Sequence, residues 1–237
     1  YIQLDNKLIP NFSEKFIRLF KNELDWNELT KEFYRFSEEF IDEFADKWNW
    51  KKICECEILN EEFIRKYQDR LEWNSISSQQ KLSEEFIIEF QDKVNWVNIS
   101  KYQKLSNEFI DKYFDMLFCP SICYYQTLSE EILCKYENKI CWLNISMYKK
   151  LSESLIRDHK DEVNWEYISR FYTLNESFIS EFADKVDWFW ISKNQKLSED
   201  FIRKFANKVN WNYISRYQAL SDSFMDEFQD TINWSLI

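Results

Sequence analysis

Glycine is absent from all 237 residues, histidine occurs once and proline twice. A chain of this length ordinarily carries about 17 glycines. Without them no glycine-rich phosphate loop, dinucleotide fingerprint, nucleophile elbow or Walker A sequence can be written. Type I′ and II′ hairpin turns, which lean on glycine, are disfavoured in number. A single His rules out a multi-histidine metal site within the chain. No run of about 18 apolar residues occurs, so no transmembrane helix is expected. The start, Tyr1-Ile-Gln-Leu-Asp-Asn-Lys, is not a basic-then-apolar leader and has no Met, which reads as a trimmed chain not addressed for secretion. Acidic residues outnumber basic ones by 42 to 31, a net charge of −11. That balance disfavours nonspecific nucleic-acid binding while leaving room for a local basic stripe.

What the chain does have is a period. Trp stands at 26, 50, 73, 96, 142, 165, 188, 211 and 234, at spacings of 24, 23, 23, 46 and then 23 throughout. The 46 is a double period with Cys119 in the vacant slot, and the 24 reflects one extra residue between Trp26 and Phe36. With Trp as position 1, position 4 is Ile or Leu, position 5 is small, positions 10 and 11 read Leu-Ser, and positions 14, 15 and 18 are mostly Phe, Ile and an aromatic. The consensus W-x-x-I-S-x-x-Q-x-L-S-E-x-F-I-x-x-F-x-D-K-V-N recurs about ten times, counting a partial unit before Trp26. It covers nearly the whole chain and predicts one repeat domain over 1–237.

Each unit predicts two helices. Ser83 reads as an N-cap with Glu84 and Glu85 in the first turn, where the helix dipole favours anions. Phe86, Ile87 and Phe90 then line one helical face. Asn95 reads as a second N-cap, with Trp96, Ile99 and Ser100 on one face. The expectation is a short helix A over positions 1 to 8 and a longer helix B over positions 11 to 20. Asn or Asp at position 20, tolerant of the left-handed conformation, is expected to end helix B in place of glycine. Helices this short are not stable alone and must stack. The fold class predicted is all-α, an elongated solenoid of about ten 23-residue helical hairpins. The alternative is a leucine-rich-repeat-like α/β solenoid, since the period falls in that range. The spacing of three between positions 1 and 4 does not keep two side chains on one strand face, which favours helices.

The W-x-x-I-S…L-S-E-x-F-I…D-K-V-N-W pattern resembles short tandem repeats in uncharacterised proteins of giant amoeba-infecting DNA viruses. The resemblance spans the whole chain and implies a viral origin, inside the host cell in its cytoplasm or in the virion. It brings no catalytic motif.

Candidate sites are few. Cys119, Cys123, Cys134 and Cys141 fall in one 23-residue window. Four thiolates can hold zinc, but C-x3-C-x10-C-x6-C is not a usual finger spacing. Buried reduced thiols are preferred to zinc or a disulfide, with Cys119 in a Trp slot and Cys123 in the small slot. His159 takes the place of an aromatic at position 18 and reads as structural, because no partner acid or nucleophile is indicated. The recurrent carboxylates read as caps and solvation, not as a glycosidase pair. The N-x-S sequons at Asn11, Asn98, Asn144 and Asn175 are partly by-products of the repeat. One surface feature remains. Lys101, Lys104, Lys150, Arg170, Lys193 and Arg216 fall at positions 6 and 9, and Tyr102, Tyr125, Tyr148, Phe171 and Tyr217 at position 7. Position 3 adds Tyr167, Trp190 and Tyr213. Stacking would align these as a basic, aromatic ridge on an acidic body, the composition of a binding surface. The competing reading is that position 7 half-packs between repeats. The function expected is a noncatalytic scaffold for a protein partner, with no cofactor and no membrane contact. Self-association as part of a viral assembly ranks second, and nucleic-acid binding third.

Overall fold

The computed structural model describes residues 13–26, 29 and 36–237. The chain divides into two compact units, residues 1–135 and 136–237. The first unit holds ten α-helices among its described residues: α1 (Glu14–Leu19), α2 (Glu38–Glu43), α3 (Trp50–Cys56), α4 (Glu61–Lys66), α5 (Trp73–Gln79), α6 (Glu84–Glu89), α7 (Trp96–Tyr102), α8 (Asn107–Tyr113), α9 (Cys119–Tyr125) and α10 (Glu130–Lys135). The second opens with a 3₁₀ turn, Glu137–Lys139. It continues with α11 (Trp142–Tyr148), α12 (Glu153–Asp158), α13 (Trp165–Phe171), α14 (Glu176–Glu181), α15 (Trp188–Asn194), α16 (Glu199–Lys204), α17 (Trp211–Tyr217) and α18 (Asp222–Glu227), and a 3₁₀ turn at Trp234–Leu236 follows. No strand occurs among the described residues. The fold is the all-α helical-repeat solenoid, and the leucine-rich alternative falls. Within each unit every A helix packs on the A helix of the next repeat: α3 on α5, α5 on α7, α7 on α9, then α11 on α13, α13 on α15 and α15 on α17.

The caps lie where the sequence places them. Ser83 Oγ accepts the Phe86 amide at 3.1 Å, and Asn95 Oδ1 accepts the Asn98 amide at 3.1 Å. The partial first repeat obeys the same rule, Ser13 capping α1. The core is formed by the Ile of position 4 and the Phe-Ile pair of positions 14 and 15, as in Ile99, Phe86 and Ile87, each fully buried.

Helix B ends earlier than expected, and by another device. It runs from position 12 to 17, and its C-cap at position 18 has φ near −112°, as in Phe90 and Phe182. The chain then makes a further turn, with the Lys93 and Val94 amides both donating to the Phe90 carbonyl at 2.9 and 3.0 Å. Position 20 is therefore not the cap. The exposed carbonyl at position 19 is satisfied by the repeat tryptophan: Trp73 Nε1 donates to Gln68 O, Trp96 to Gln91 O and Trp211 to Ala206 O, each at 3.0 Å. The indole N–H does the work glycine-based caps usually do, answering carbonyls that have no intrahelical donor. Most repeat tryptophans are half-buried; Trp142 is fully buried and still donates to the position 19 carbonyl of Glu137 at 3.2 Å.

Two polar side chains tie repeat to repeat. The position 5 Ser donates back to the Trp carbonyl of its own turn and accepts the amide of position 23: Ser192 Oγ lies 2.7 Å from Trp188 O and 2.8 Å from Asn210 N. The position 8 Gln reaches into the preceding repeat. Gln103 Nε2 donates to Ser77 O (2.9 Å) and Gln80 O (2.8 Å), and its Oε1 accepts Leu82 N at 3.1 Å. Gln80 and Gln126 repeat this clamp, and Tyr172 substitutes for it with its hydroxyl. Among the described residues no buried side-chain N or O atom lacks a hydrogen-bond partner.

Candidate interaction surface

The position 7 aromatics end the A helices and are solvent-exposed: Tyr102 at 52%, Tyr125 at 50%, Tyr148 at 44%, Phe171 at 56% and Tyr217 at 49%. In the first unit the ridge consists of Tyr102 and Tyr125 with Lys101 between them, its Nζ 4.8 and 5.4 Å from the two ring centroids. Hydrogen bonding to Tyr102 holds the Lys101 ammonium above the ordinary lysine range. Lys104 is exposed in the loop after α7.

The second unit carries the denser part. Arg170 Cζ lies 4.7 Å from the Phe171 ring and 4.3 Å from Trp190. Lys193 Nζ lies 5.1 Å from Trp190 and 5.4 Å from Tyr213. Arg216 covers Tyr217 at 5.4 Å, and Tyr213 stacks on Tyr217 with the rings 11° from parallel. These distances are within cation–π range. Tyr148 and Lys150 line a shallow cavity of about 260 Å³ with Met147, Tyr167, Phe171 and Tyr172. Of the predicted residues, Arg170 and Lys193 therefore share the Trp190 ring across successive A helices, and Tyr148, Lys150 and Phe171 line one cavity. Tyr102, Tyr125, Lys101 and Lys104 belong to the other unit.

Sequence reasoning missed Phe189, which is exposed and meets Trp190 and Tyr213 edge-on at 4.9 and 4.7 Å. The available signal was an aromatic at position 2, otherwise polar in most repeats. Met147 and Tyr172 of the cavity were also missed.

Charge is segregated by layer. Over residues 142–233 the A segments, positions 1 to 10, hold six cations and one carboxylate (Glu166), net +5, while the B segments hold six cations and 14 carboxylates, net −8. On the B layer, cations pair with the carboxylates of neighbouring repeats: Arg157 with Glu181 at 2.9 Å, Arg203 with Glu227 at 2.7 Å, Lys185 with Asp161 and Lys208 with Asp184 at 2.5 Å. The hydrogen bonds from Lys185 and Lys208 hold Asp161 and Asp184 below the usual carboxylate range. This is the reverse of the shift a general acid requires.

The expectation of buried thiols holds for Cys123 alone of the four, since Cys119 is partly exposed and Cys134 and Cys141 lie on repeat positions that face solvent. Cys119 and Cys123 bring their Sγ atoms to 3.6 Å, well beyond the roughly 2.05 Å of a disulfide bond. Cys134 is exposed, as is Cys141 in the second unit. Among the described residues no group of three or more His, Cys, Asp or Glu side chains is placed to hold a metal ion. His159 stacks on Trp142 with centroids 3.5 Å apart and approaches Glu162 through Nδ1 at 3.3 Å. The sequon serines Ser100 and Ser146 are fully buried, where they relay hydrogen bonds; Asn11 lies outside the described residues. No described helix is long and apolar enough to cross a membrane. Comparisons with protein-family models, curated proteins and solved structures returned no match.

Proposed function

We propose that the chain is a noncatalytic repeat scaffold whose A-helix ridge holds a protein partner. The observation that supports this is the set of exposed position 7 aromatics in each unit, four of which (Tyr102, Tyr125, Phe171 and Tyr217) carry a cation over the ring. Rigid aromatics flanked by Arg are the composition of binding hot spots, with charge mainly steering encounter. The repeat's resemblance to giant-virus proteins makes a viral source part of the proposal. The test is the double variant Tyr148→Ala/Phe171→Ala, carried through thermal unfolding and partner capture from the native setting. The expected outcome is a change in stability below about 1 kcal/mol with loss of the captured partner, and a larger loss than Lys150→Ala/Arg170→Ala produces. A clear drop in melting temperature with unchanged capture by the folded fraction would assign these rings to inter-repeat packing.

The second reading is self-association. It is favoured by the opposite charges of the A and B layers, which make one copy complementary to the back of another. Concentration-dependent sedimentation that weakens with salt tests it.

A further inference from the structure

Cations lie over rings on both layers of the second unit, with Arg157 over Phe178 and Arg203 over Phe224 at 5.0 Å on the B layer, and the difference is whether a carboxylate is bound as well. Arg157, Lys185, Arg203 and Lys208 are bound to carboxylates. Arg170, Lys193 and Arg216 rest on aromatic rings with no carboxylate bound among the described residues. A guanidinium lying on a ring keeps its N–H edge for an acceptor, and a carboxylate is the acceptor that matches it. The cations come one per A helix, at position 6 of successive repeats. Arg170 and Lys193 lie 4.3 and 5.1 Å from the same Trp190 centroid, which bounds their separation at 9.4 Å. Neighbouring packed helices sit about 8–10 Å apart, and cations at one position of successive helices are expected to step by that distance, which the 9.4 Å limit allows. An extended polyproline II chain rises about 3.1 Å per residue with three residues per turn, which returns every third side chain to one face after roughly 9.3 Å. The two periods coincide. Aromatic-lined grooves are also the usual surface for such chains, which are already extended and lose little entropy on docking.

We propose that this ridge binds an extended acidic peptide in the polyproline II conformation, with a carboxylate at every third residue. The carboxylates pair with Arg170, Lys193 and Arg216, and the intervening residues lie on Phe171, Trp190 and Tyr213. This rests on the ridge being a binding surface and adds the chemistry and register of what it binds. Nucleic acid fits less well, because a polyphosphate strand would bring many charges to three cations on a chain of net charge −11. A second copy fits less well, because many of the carboxylates it would offer are already in ion pairs.

The experiment is fluorescence anisotropy on the full chain with two labelled peptides of about 18 residues. One repeats Glu-Pro-Pro; the other has the same composition with its Glu residues clustered. The register predicts that the repeating peptide binds at least about tenfold tighter, and that Arg170→Ala/Lys193→Ala/Arg216→Ala removes at least about tenfold of that affinity. Circular dichroism checks the fold of this variant. If it fails to fold, the single variant Arg170→Gln is used, with an expected loss of about threefold. Lys160→Ala/Lys204→Ala lowers the net charge on the B layer, away from the row, and should leave affinity unchanged. Equal binding of both peptides that still depends on the three cations would overturn the register and leave the ridge as a binding surface. Binding of either peptide that ignores the cations, or no binding at low salt, would overturn the proposal, and indifference to Tyr148→Ala/Phe171→Ala as well would take the ridge reading with it. Tighter binding of a uridine oligomer, or self-association abolished by the same triple variant, would overturn it in favour of nucleic acid or of a second copy.

Discussion

Asn95 and Phe118 occupy the same repeat position in the first unit, and they treat the helix that follows in opposite ways. Asn95 accepts the Asn98 amide and caps α7, whereas α9 has no side-chain cap and Phe118 points outward, 46% exposed. Trp96 lies over Phe109 and Tyr113, whereas the same slot at 119 holds a cysteine, its Sγ 3.6 Å from that of Cys123. The B helix leading into the Cys119 slot also ends differently, its C-cap Phe114 keeping helical angles of −52° and −40°. Yet the stacking contacts are the same in both hairpins. The Phe118 amide still donates to Ser100 Oγ at 2.9 Å, and Gln126 still clamps Ser100 O, Gln103 O and Leu105 N. The pair separates two roles. Serine at position 5 and glutamine at position 8 hold the repeats in register, while the tryptophan and the cap secure the individual hairpin.

The largest expected effect tests the first role. Gln103→Leu keeps the side-chain volume but strands the buried Ser77 and Gln80 carbonyls and the half-buried Leu82 amide. Each unsatisfied buried group costs about 1–3 kcal/mol, so the loss should reach roughly 3 kcal/mol or more by urea denaturation. A loss below about 1 kcal/mol would mean that apolar stacking alone sets the register. Lys149 and Tyr172 stand naturally at this position in the second unit, so glutamine itself is not obligatory in every repeat.

The second role predicts a smaller change of opposite sign. Phe118→Asn supplies the missing cap and removes an exposed ring, and should stabilise the first unit by about 1 kcal/mol. The same contrast appears without mutation. Among the interior repeats, amide hydrogen exchange should be fastest over residues 115–125, and Phe118→Asn should slow it there. Uniform protection of 96–102 and 119–125 would show that neither the cap nor the Trp governs local opening.

The sequence made the period, the hairpin, both N-caps and the recurrence of aromatics at position 7 legible, because each follows from local chemistry within a few residues, but it left the exposure of position 7 open against half-packing. What it hid were hydrogen bonds between residues 18 to 26 apart. Gln at position 8 stands out in the consensus, but nothing local says that its amide bridges two carbonyls of the previous repeat. Glu at position 12 reads as a dipole partner of its own helix, and Glu61 in fact accepts the Ser83 amide of the next repeat at 2.6 Å. Asp at position 20 reads as a left-handed cap, and Asp69 instead pairs with Lys93 at 2.9 Å while the Trp indole serves the helix end. These partners are set by the translation from one repeat to the next, a vector that a 23-residue period announces without giving its direction.

The smallest expected effect concerns the relay itself. Cys54 takes the serine slot, and its Sγ accepts the Glu72 amide at 3.4 Å, against 2.9 Å for the Asn95 amide on Ser77 Oγ. Cys54→Ser should therefore stabilise slightly at neutral pH, by less than about 1 kcal/mol, through a stronger hydrogen bond. The sharper difference is in alkali. Burial pushes the Cys54 thiol up to about 11, above its value in the unfolded chain. A raised pKa favours the protonated folded form, so this contribution is whole below about 9 and is lost as the pH rises through the folded value. Urea midpoints of the parent protein should fall between neutral pH and alkaline pH by more than those of Cys54→Ser, which has no thiol to ionise there. Parallel curves for the two proteins would mean that Cys54 ionises as readily folded as unfolded, and that the sulfur in the relay carries no charge-linked stability.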